Sequence, residues 1–473
     1  MKRVNLLEGP IFPALTKLAL PIMATGLVQM AYNMIDMIWI GRMGSAAVAA
    51  VGAAGMFMWL SNSLTTLAKT GGQIKVGHML GAGEEERAVQ FATSSFQLAV
   101  VFALAYSAVM LLFTGQMISF FRLNSPQVVA DAETYLRIVS IGIVFSFLNQ
   151  IFTGIMTAMG NSQTTFVATT TGLVINIVLD PILIFGVGPI PAMGVAGAAL
   201  ATVFAQAVVT VLFLLAGMKD SVIFRHVRLF SKPDFGSMKV ILGLGLPTAL
   251  QNMVFTGISM IIARLIASWG DSAVAVQKVG SQIESISWMT ADGFAAAVNS
   301  FVAQNHGANN EKRVYKGYAT AMGVVLLWGF FCTCVLTFIP GPIFQIFIPE
   351  AEVLPMGVDY LKILALSQLL MCVEITTAGA FQGLGRTMPP SVVGIIFTAA
   401  RIPAAMVLMS TSLGLNGVWW SITISSNLKG LVLFIWFMIF VYRRRKRMAD
   451  QSQSDSQKDS QGSAPVACQA EGE

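Results

Sequence analysis

Charge is scarce in this chain. Only 11% of its 473 residues are Asp, Glu, Lys or Arg, 55% are hydrophobic, and the mean hydropathy is +0.72. A soluble domain carries about a quarter charged residues, so this composition excludes one and calls for a bilayer as solvent. Histidine is nearly absent as well. The three that occur (His78, His226 and His306) fall in or near loops, with no metal-ligand spacing or nucleophile triad around them, and an enzyme embedded in the membrane is disfavoured. A phosphate-binding loop is missing, which argues against direct drive by ATP within this chain. The four cysteines, Cys332, Cys334, Cys372 and Cys468, lie in apolar runs or in the C-terminal tail, have no second pair to close a zinc site, and are expected to be free thiols.

What is abundant is apolar sequence in long runs. Windows of about 20 residues predict an all-α polytopic membrane protein of twelve transmembrane helices, near 13–40, 46–72, 88–115, 134–158, 163–187, 193–217, 238–268, 273–303, 315–340, 357–382, 389–411 and 416–441. These runs exceed the apolar core of a secretory leader, so no cleaved leader is expected. Basic residues crowd the loops of one side: Lys2 and Arg3, Lys75 and Arg87, Lys219 to Lys239, Lys312 to Lys316, and Arg443 to Arg447. The other side has little beyond Arg42 and Arg122. The positive-inside rule then places both termini in the cytoplasm, and it accounts for the net charge of +6 without a nucleic-acid partner.

The sequence repeats itself. A shift of 226 residues carries Pro21 of "LALP" onto Pro247 of "LGLP", Gly44 onto Gly270, Gly81 onto Gly307 and Arg87 onto Arg313. A shift of 225 carries "YLRI" at Tyr135 onto "YLKI" at Tyr360, and Gly154 onto Gly379. The expected organisation is an N-terminal six-helix lobe (1–217), a basic linker (218–236), a C-terminal six-helix lobe (237–442) and a disordered cytoplasmic tail (443–473). An even number of helices per half gives parallel repeats, a transporter architecture in which two halves rock about a site between them.

Ionisable residues inside spans are functional candidates, because each is unfavourable in lipid unless it faces a cavity or a partner. In helix 1, Gln29, Tyr32 or Asn33, and Asp36 share one face. In helix 5, Asn176 and Asp180 stand one turn apart, and Pro181 frees a backbone carbonyl. Both acids lie at the same membrane depth, where two carboxylates repel unless a cation or a shared proton sits between them. The pattern points to a coupling-ion site confined to the first half, since the repeat carries Asp36 onto Ile262 and Asp180 onto Ala405. The second half has other charges, Glu284, Asp292, Glu374 and Arg401, and Glu374 is the repeat counterpart of Asn149. Glu374 is open to three roles: contact with a cationic substrate, coupling, or a pair with Arg401. The 27 Met and 31 Phe suit a cavity for varied apolar cations, although most must serve packing.

These residues, together with "YNMIDMIWIGRMG", "NIVLDPILIFG" followed by "GVAGAALAT", "AQNHGA" at Ala303 and "GAFQGLGRTMPP" at Gly379, resemble the multidrug and toxic compound extrusion (MATE) family over residues 8 to 441. The resemblance implies two six-helix bundles forming a V around a central cavity, and antiport of organic cations against Na+ or H+. It implies a cation site at Asp36, Asn176, Asp180 and Thr202, with Na+ held at the first three if Na+ is the ion, and Gln29 and Tyr32 lining the same cavity. One branch of the family carries an acid in helix 7 and an Asp in helix 10, where this chain has Thr256 and Met371. Coupling through the N-terminal lobe is therefore expected, and Gln29, Tyr32, Asn33, Asn149, Glu284, Glu374 and Arg401 are the expected substrate-cavity residues.

The expected protein is a secondary multidrug antiporter, monomeric and multi-pass in a bacterial or archaeal cytoplasmic membrane, with amphipathic organic cations as substrates and no cofactor besides the coupling ion. The alternative is a flippase for a lipid-linked saccharide, which would need a strongly basic cavity.

Overall fold

The computed structural model describes residues 3–121, 125–220, 222–348 and 350–462, and among these it contains helices and no strands. Arg122, Cys468 and the end of the expected tail lie outside the described residues. Six long helices make the first half: α1 (Ile11–Gly41), α2 (Ser45–Gly81), α3 (Glu85–Leu112), α4 (Pro126–Ala158), α5 (Ser162–Phe185) and α6 (Gly194–Met218). Their counterparts are α7 (Phe235–Ala267), α8 (Asp271–Gly307), α9 (Glu311–Phe338), α10 (Leu354–Gly383), α11 (Met388–Met409) and α12 (Leu415–Gly462). The 226-residue shift carries the first residues of α2, α3 and α5 onto those of α8, α9 and α11, and the short helix Thr114–Ser119 onto Pro340–Gln345. The chain is thus two pseudo-symmetric six-helix bundles. Cys332, Cys334 and Cys372 are free thiols.

Eleven of the described helices are long and apolar enough to cross a membrane on composition. The remaining one is α8, whose Lys278, Glu284 and Asp292 lower its hydropathy. Two features depart from the expected spans. Helix α11 is broken into Met388–Ala399 and Arg401–Met409, since Pro403 leaves the Ala399 carbonyl without an amide donor. Helix α12 continues to Gly462, into the stretch read as an unstructured tail, because extending a nucleated helix fixes one residue per hydrogen bond gained.

The lobes meet along a pseudo-twofold arrangement in which α1 packs on α8, α7 packs on α2, and α2 packs on α8. Small residues allow these crossings, as expected where lipid gives no hydrophobic drive between helices. A Cβ at Gly81 would collide with the Gln304 carbonyl, and one at its repeat partner Gly307 with the His78 carbonyl. The first half of α1 buries Ala14, Leu15, Leu18 and Ala19 in the core of the C-terminal lobe, against Phe294, Ala297 and Val298. Helix α1 therefore belongs to both lobes: its start is seated in one and its remainder lies along α5 of the other.

The segment before α1 closes the same side. The Val4 amide donates to the Gly160 carbonyl of the first lobe at 3.0 Å, while Leu6 is buried in the second. The Leu6 carbonyl accepts from Asn305 Nδ2 at 3.0 Å and from Arg313, whose guanidinium also reaches the carbonyls of Glu8 and Gly9. Arg444 pairs with Glu311 beside it at 2.7 Å, so the N-terminal segment and the end of α12's apolar stretch share one side.

Gly81→Val tests this closure. Overpacking at a backbone contact is destabilising by about 1–3 kcal/mol, and the strain can be relieved only by parting α2 from α8. Spin labels near the ends of the two helices are expected to show a longer distance distribution than in the wild-type chain. An unchanged distribution would mean that the glycine contact does not hold the lobes together.

Candidate functional site

The polar side chains inside the bundles gather in two clusters, with a cavity between the lobes. In the first lobe, Asn176 and Asp180 are one turn apart on α5, which puts the Asn176 amide on the acid: Nδ2 donates to Asp180 Oδ1 at 2.9 Å. Both residues are buried, Asp180 completely. Asp36 of α1 is half-buried and lies within hydrogen-bonding reach of Asp180. Thr202 of α6 completes the group, its hydroxyl donating to the Ala198 carbonyl at 3.0 Å and lying in reach of Tyr32 and Tyr135.

One atom of this cluster is unsatisfied. Asp180 Oδ2 is buried and has no hydrogen-bond donor. A buried carboxylate oxygen without a donor is costly, and its facing neighbour, Asp36, is another acceptor while both acids are ionised. Either a proton shared by the two or a small cation between them resolves the conflict. No group of three or more His, Cys, Asp or Glu with metal-ligand geometry occurs among the described residues, so the donors are the two carboxyls with amide and hydroxyl oxygens. Such a hard, low-charge set fits a proton or a monovalent cation better than a divalent one.

In the second lobe, Glu284 of α8 accepts from Tyr360 Oη at 3.4 Å and from Gln368 Nε2 at 3.3 Å, both on α10. Glu374 of α10 pairs with Lys429 of α12, Oε2 to Nζ, at 3.1 Å. Arg401, at the break in α11, donates to the hydroxyls of Ser425 and Ser426 at 3.0 Å each. The pairing of Glu374 with Arg401 is thus replaced by one with Lys429, which the break in α11 leaves free by turning Arg401 onto the two serines.

The cavity between the lobes has a volume of about 920 Å³. Glu284, Glu374 and Arg401 line it, as do Lys69 and Asp292. Four of the expected cavity residues do not. Gln29 donates to Asn33 along the outside of α1 at 3.2 Å, and Tyr32 turns toward Thr202. Asn149 is a packing residue, donating to Gln206 on α6 at 2.8 Å and accepting from Thr210 at 2.8 Å. It ties α4 to α6 as its repeat counterpart Glu374 ties α10 to α12, with neutral amides in place of an ion pair. Asp36, Asn176, Asp180 and Thr202 likewise lie apart from this cavity. Helix α1 links the two places, since its Ile22 and Thr25 line the cavity and Asp36 sits further along.

Tyr135 marks the repeat in the sequence, and it also reaches the acidic cluster of its lobe. Its counterpart Tyr360 binds Glu284, so the matched "YLRI" and "YLKI" each carry a tyrosine to the acidic cluster of their own lobe. That correspondence was the available signal.

The family model described as MatE matches residues 21–182 and 247–407, one match in each half. The chain is 28% identical over 412 residues to a probable multidrug resistance protein NorM from Thermotoga maritima, covering 86% of this chain and 87% of that one. It is 24% identical over 445 residues to the multidrug export protein MepA of Staphylococcus aureus, covering 93% and 96%. Among solved structures, MATE in the bent conformation superposes with a TM-score of 0.87 at 25% identity, covering 95% of this chain and 99% of that chain. The outward-facing conformation of a multidrug resistance MATE family transporter of the MOP superfamily gives 0.85 at 24% identity, covering 94% and 98%.

Proposed function

The chain belongs to the MatE family, and from that premise we propose that it is a multidrug efflux antiporter, exporting amphipathic organic cations in exchange for Na+ or H+. The observation that carries the coupling is the donorless Oδ2 of Asp180 in a carboxyl that Asp36 approaches within hydrogen-bonding reach. A transported proton or Na+ would satisfy that oxygen and pull α1 toward α5.

The geometry supports a route from ion to substrate. Helix α1 is seated in the C-terminal lobe by its first turns, carries Pro21, lines the cavity with Ile22 and Thr25, and ends beside Asp180. Pro21 removes one intrahelical hydrogen bond, so the outer part of α1 can tilt while its start stays packed. Binding at Asp36 and Asp180 then changes the wall of the substrate cavity. An ion drives export only through unequal affinity for the two conformations, and an α1 tilt that the ion favours supplies the inequality. With both termini cytoplasmic in this reading, the α2–α8 contact and the N-terminal segment lie on the cytoplasmic side.

Cavity charge supports cations over a lipid-linked pyrophosphate. Three acids, Glu284, Asp292 and Glu374, balance three bases, Lys69, Arg401 and Lys429. A flippase for such an anion would need a basic excess.

Proteoliposomes loaded with a fluorescent organic cation, with Na+ and pH gradients imposed separately, test the reading. One of the two gradients is expected to drive uphill movement of the dye, and its collapse to stop it. Uphill movement with neither gradient, or none with either, would refute antiport.

A further inference from the structure

We infer that Asp292 is the anchor for the cationic group of the substrate, with Trp288 as the aromatic face beside it and Lys69 as the opposing charge that limits the site to monocations. The inference rests on the efflux reading above and names the subsite that efflux would use.

Six charged side chains line the cavity, and five have a partner. Glu284 is held by Tyr360 and Gln368, and Glu374 and Lys429 hold each other. Arg401 is held by Ser425 and Ser426, and Lys69 Nζ donates to Gln150 Oε1 at 2.8 Å. Asp292 has neither a hydrogen bond nor an ion-pair contact among the described residues, and it is open to the cavity. A carboxylate at membrane depth that faces a cavity without a protein partner keeps its oxygens free for a ligand. Among the described residues, the charge that offsets it is Lys69, from the opposite lobe and with no ion-pair contact.

The surroundings fit an organic cation. Trp288 precedes Asp292 by one turn on α8 and lines the same cavity, so the indole and the carboxylate share a face of the helix. An aromatic face and a carboxylate side by side attract an ammonium or phosphonium whose charge is shielded by apolar groups. The volume of about 920 Å³ accommodates a drug-sized molecule. Trp59 of α2, which is exposed, and Phe255 of α7 add further aromatic surface to the cavity wall. Lys69 also explains a limit on charge. A ligand cation at Asp292 neutralises the carboxylate that offsets that ammonium among the described residues, and a second positive charge would meet Lys69 unshielded.

Tetraphenylphosphonium binding to the purified full-length protein, measured by calorimetry, tests the assignment. Asp292→Asn is expected to weaken binding by about tenfold, Asp292→Glu to stay within about threefold of wild type, and Lys69→Gln to tighten it by about threefold. A bis-quaternary alkane is expected to bind only the Lys69→Gln variant with comparable affinity. Wild-type affinity in Asp292→Asn would overturn the anchor and leave the efflux reading standing. Failure of the wild-type protein to bind or move any monocation would overturn both. Should Asp292→Asn fail to fold, unchanged affinity in Lys69→Gln overturns the assignment.

Discussion

Asp36→Asn is expected to abolish gradient-driven export while the protein still folds and still binds a cationic dye in the cavity. The substitution keeps size and one acceptor oxygen but removes the charge, so neither a shared proton nor a monovalent cation is held against Asp180. Asp180 is fixed by the Asn176 amide at 2.9 Å and is itself buried, which leaves Asp36, half-buried on α1, as the member of the pair that can move. Coupling between two sites amounts to about 1–3 kcal/mol, a factor of about 5 to 150, and its loss should lower uphill dye accumulation by a factor in that range. The cavity's charged groups lie elsewhere, on α2, α8, α10, α11 and α12, so dye affinity in the absence of coupling ion should change by no more than about twofold. Export at the wild-type rate in Asp36→Asn liposomes would remove the acid pair from the mechanism.

The second large effect is structural. Lys429→Met leaves the Glu374 carboxylate buried at 9% exposure with its partner gone, and Arg401 cannot replace it while bound to Ser425 and Ser426. Removing one member of a buried ion pair is destabilising by about 3–5 kcal/mol, whereas replacing both with neutral groups of similar shape is close to neutral. Thermal unfolding in detergent should therefore show a marked drop for Lys429→Met and recovery of most of it in Glu374→Gln/Lys429→Met. A single variant as stable as the wild type would show that Glu374 is protonated or solvated in the cavity and does not depend on Lys429.

Much of this was legible in the chain itself. Long apolar runs located the helices, and the 226-residue repeat located the two bundles, down to the paired glycines at Gly81 and Gly307 where α2 and α8 touch. The pairing of Asp180 with Asn176 followed from helical spacing, because both lie on one element. Contacts between elements were harder to read. Glu374 and Arg401 look like partners by charge, yet the break in α11 and the position of α12 give Glu374 to Lys429. Asn149 looked like a cavity residue because its repeat counterpart is an acid, but polar residues also pin helices together within a lobe, and Gln206 and Thr210 receive it. Gln29, Tyr32 and Asn33 share a face with Asp36 as spacing requires, and that face turns from the inter-lobe cavity, a matter of how α1 is rotated against α5 and α8. Rotation about a helix axis is decided by packing, and an apolar stripe that meets lipid on one side and protein on the other carries almost no signal for it.

In the proposed mechanism, the ion at Asp36 and Asp180 and the substrate in the cavity oppose each other through α1. Linkage makes this reciprocal, so the most direct test is substrate affinity as a function of the ion. Tetraphenylphosphonium binding to the purified protein should weaken as either Na+ or proton concentration rises, and in Asp36→Asn that dependence should shrink to what direct protonation of Asp292 contributes. An ion dependence undiminished in Asp36→Asn, or a wild-type affinity indifferent to both ions, would contradict it.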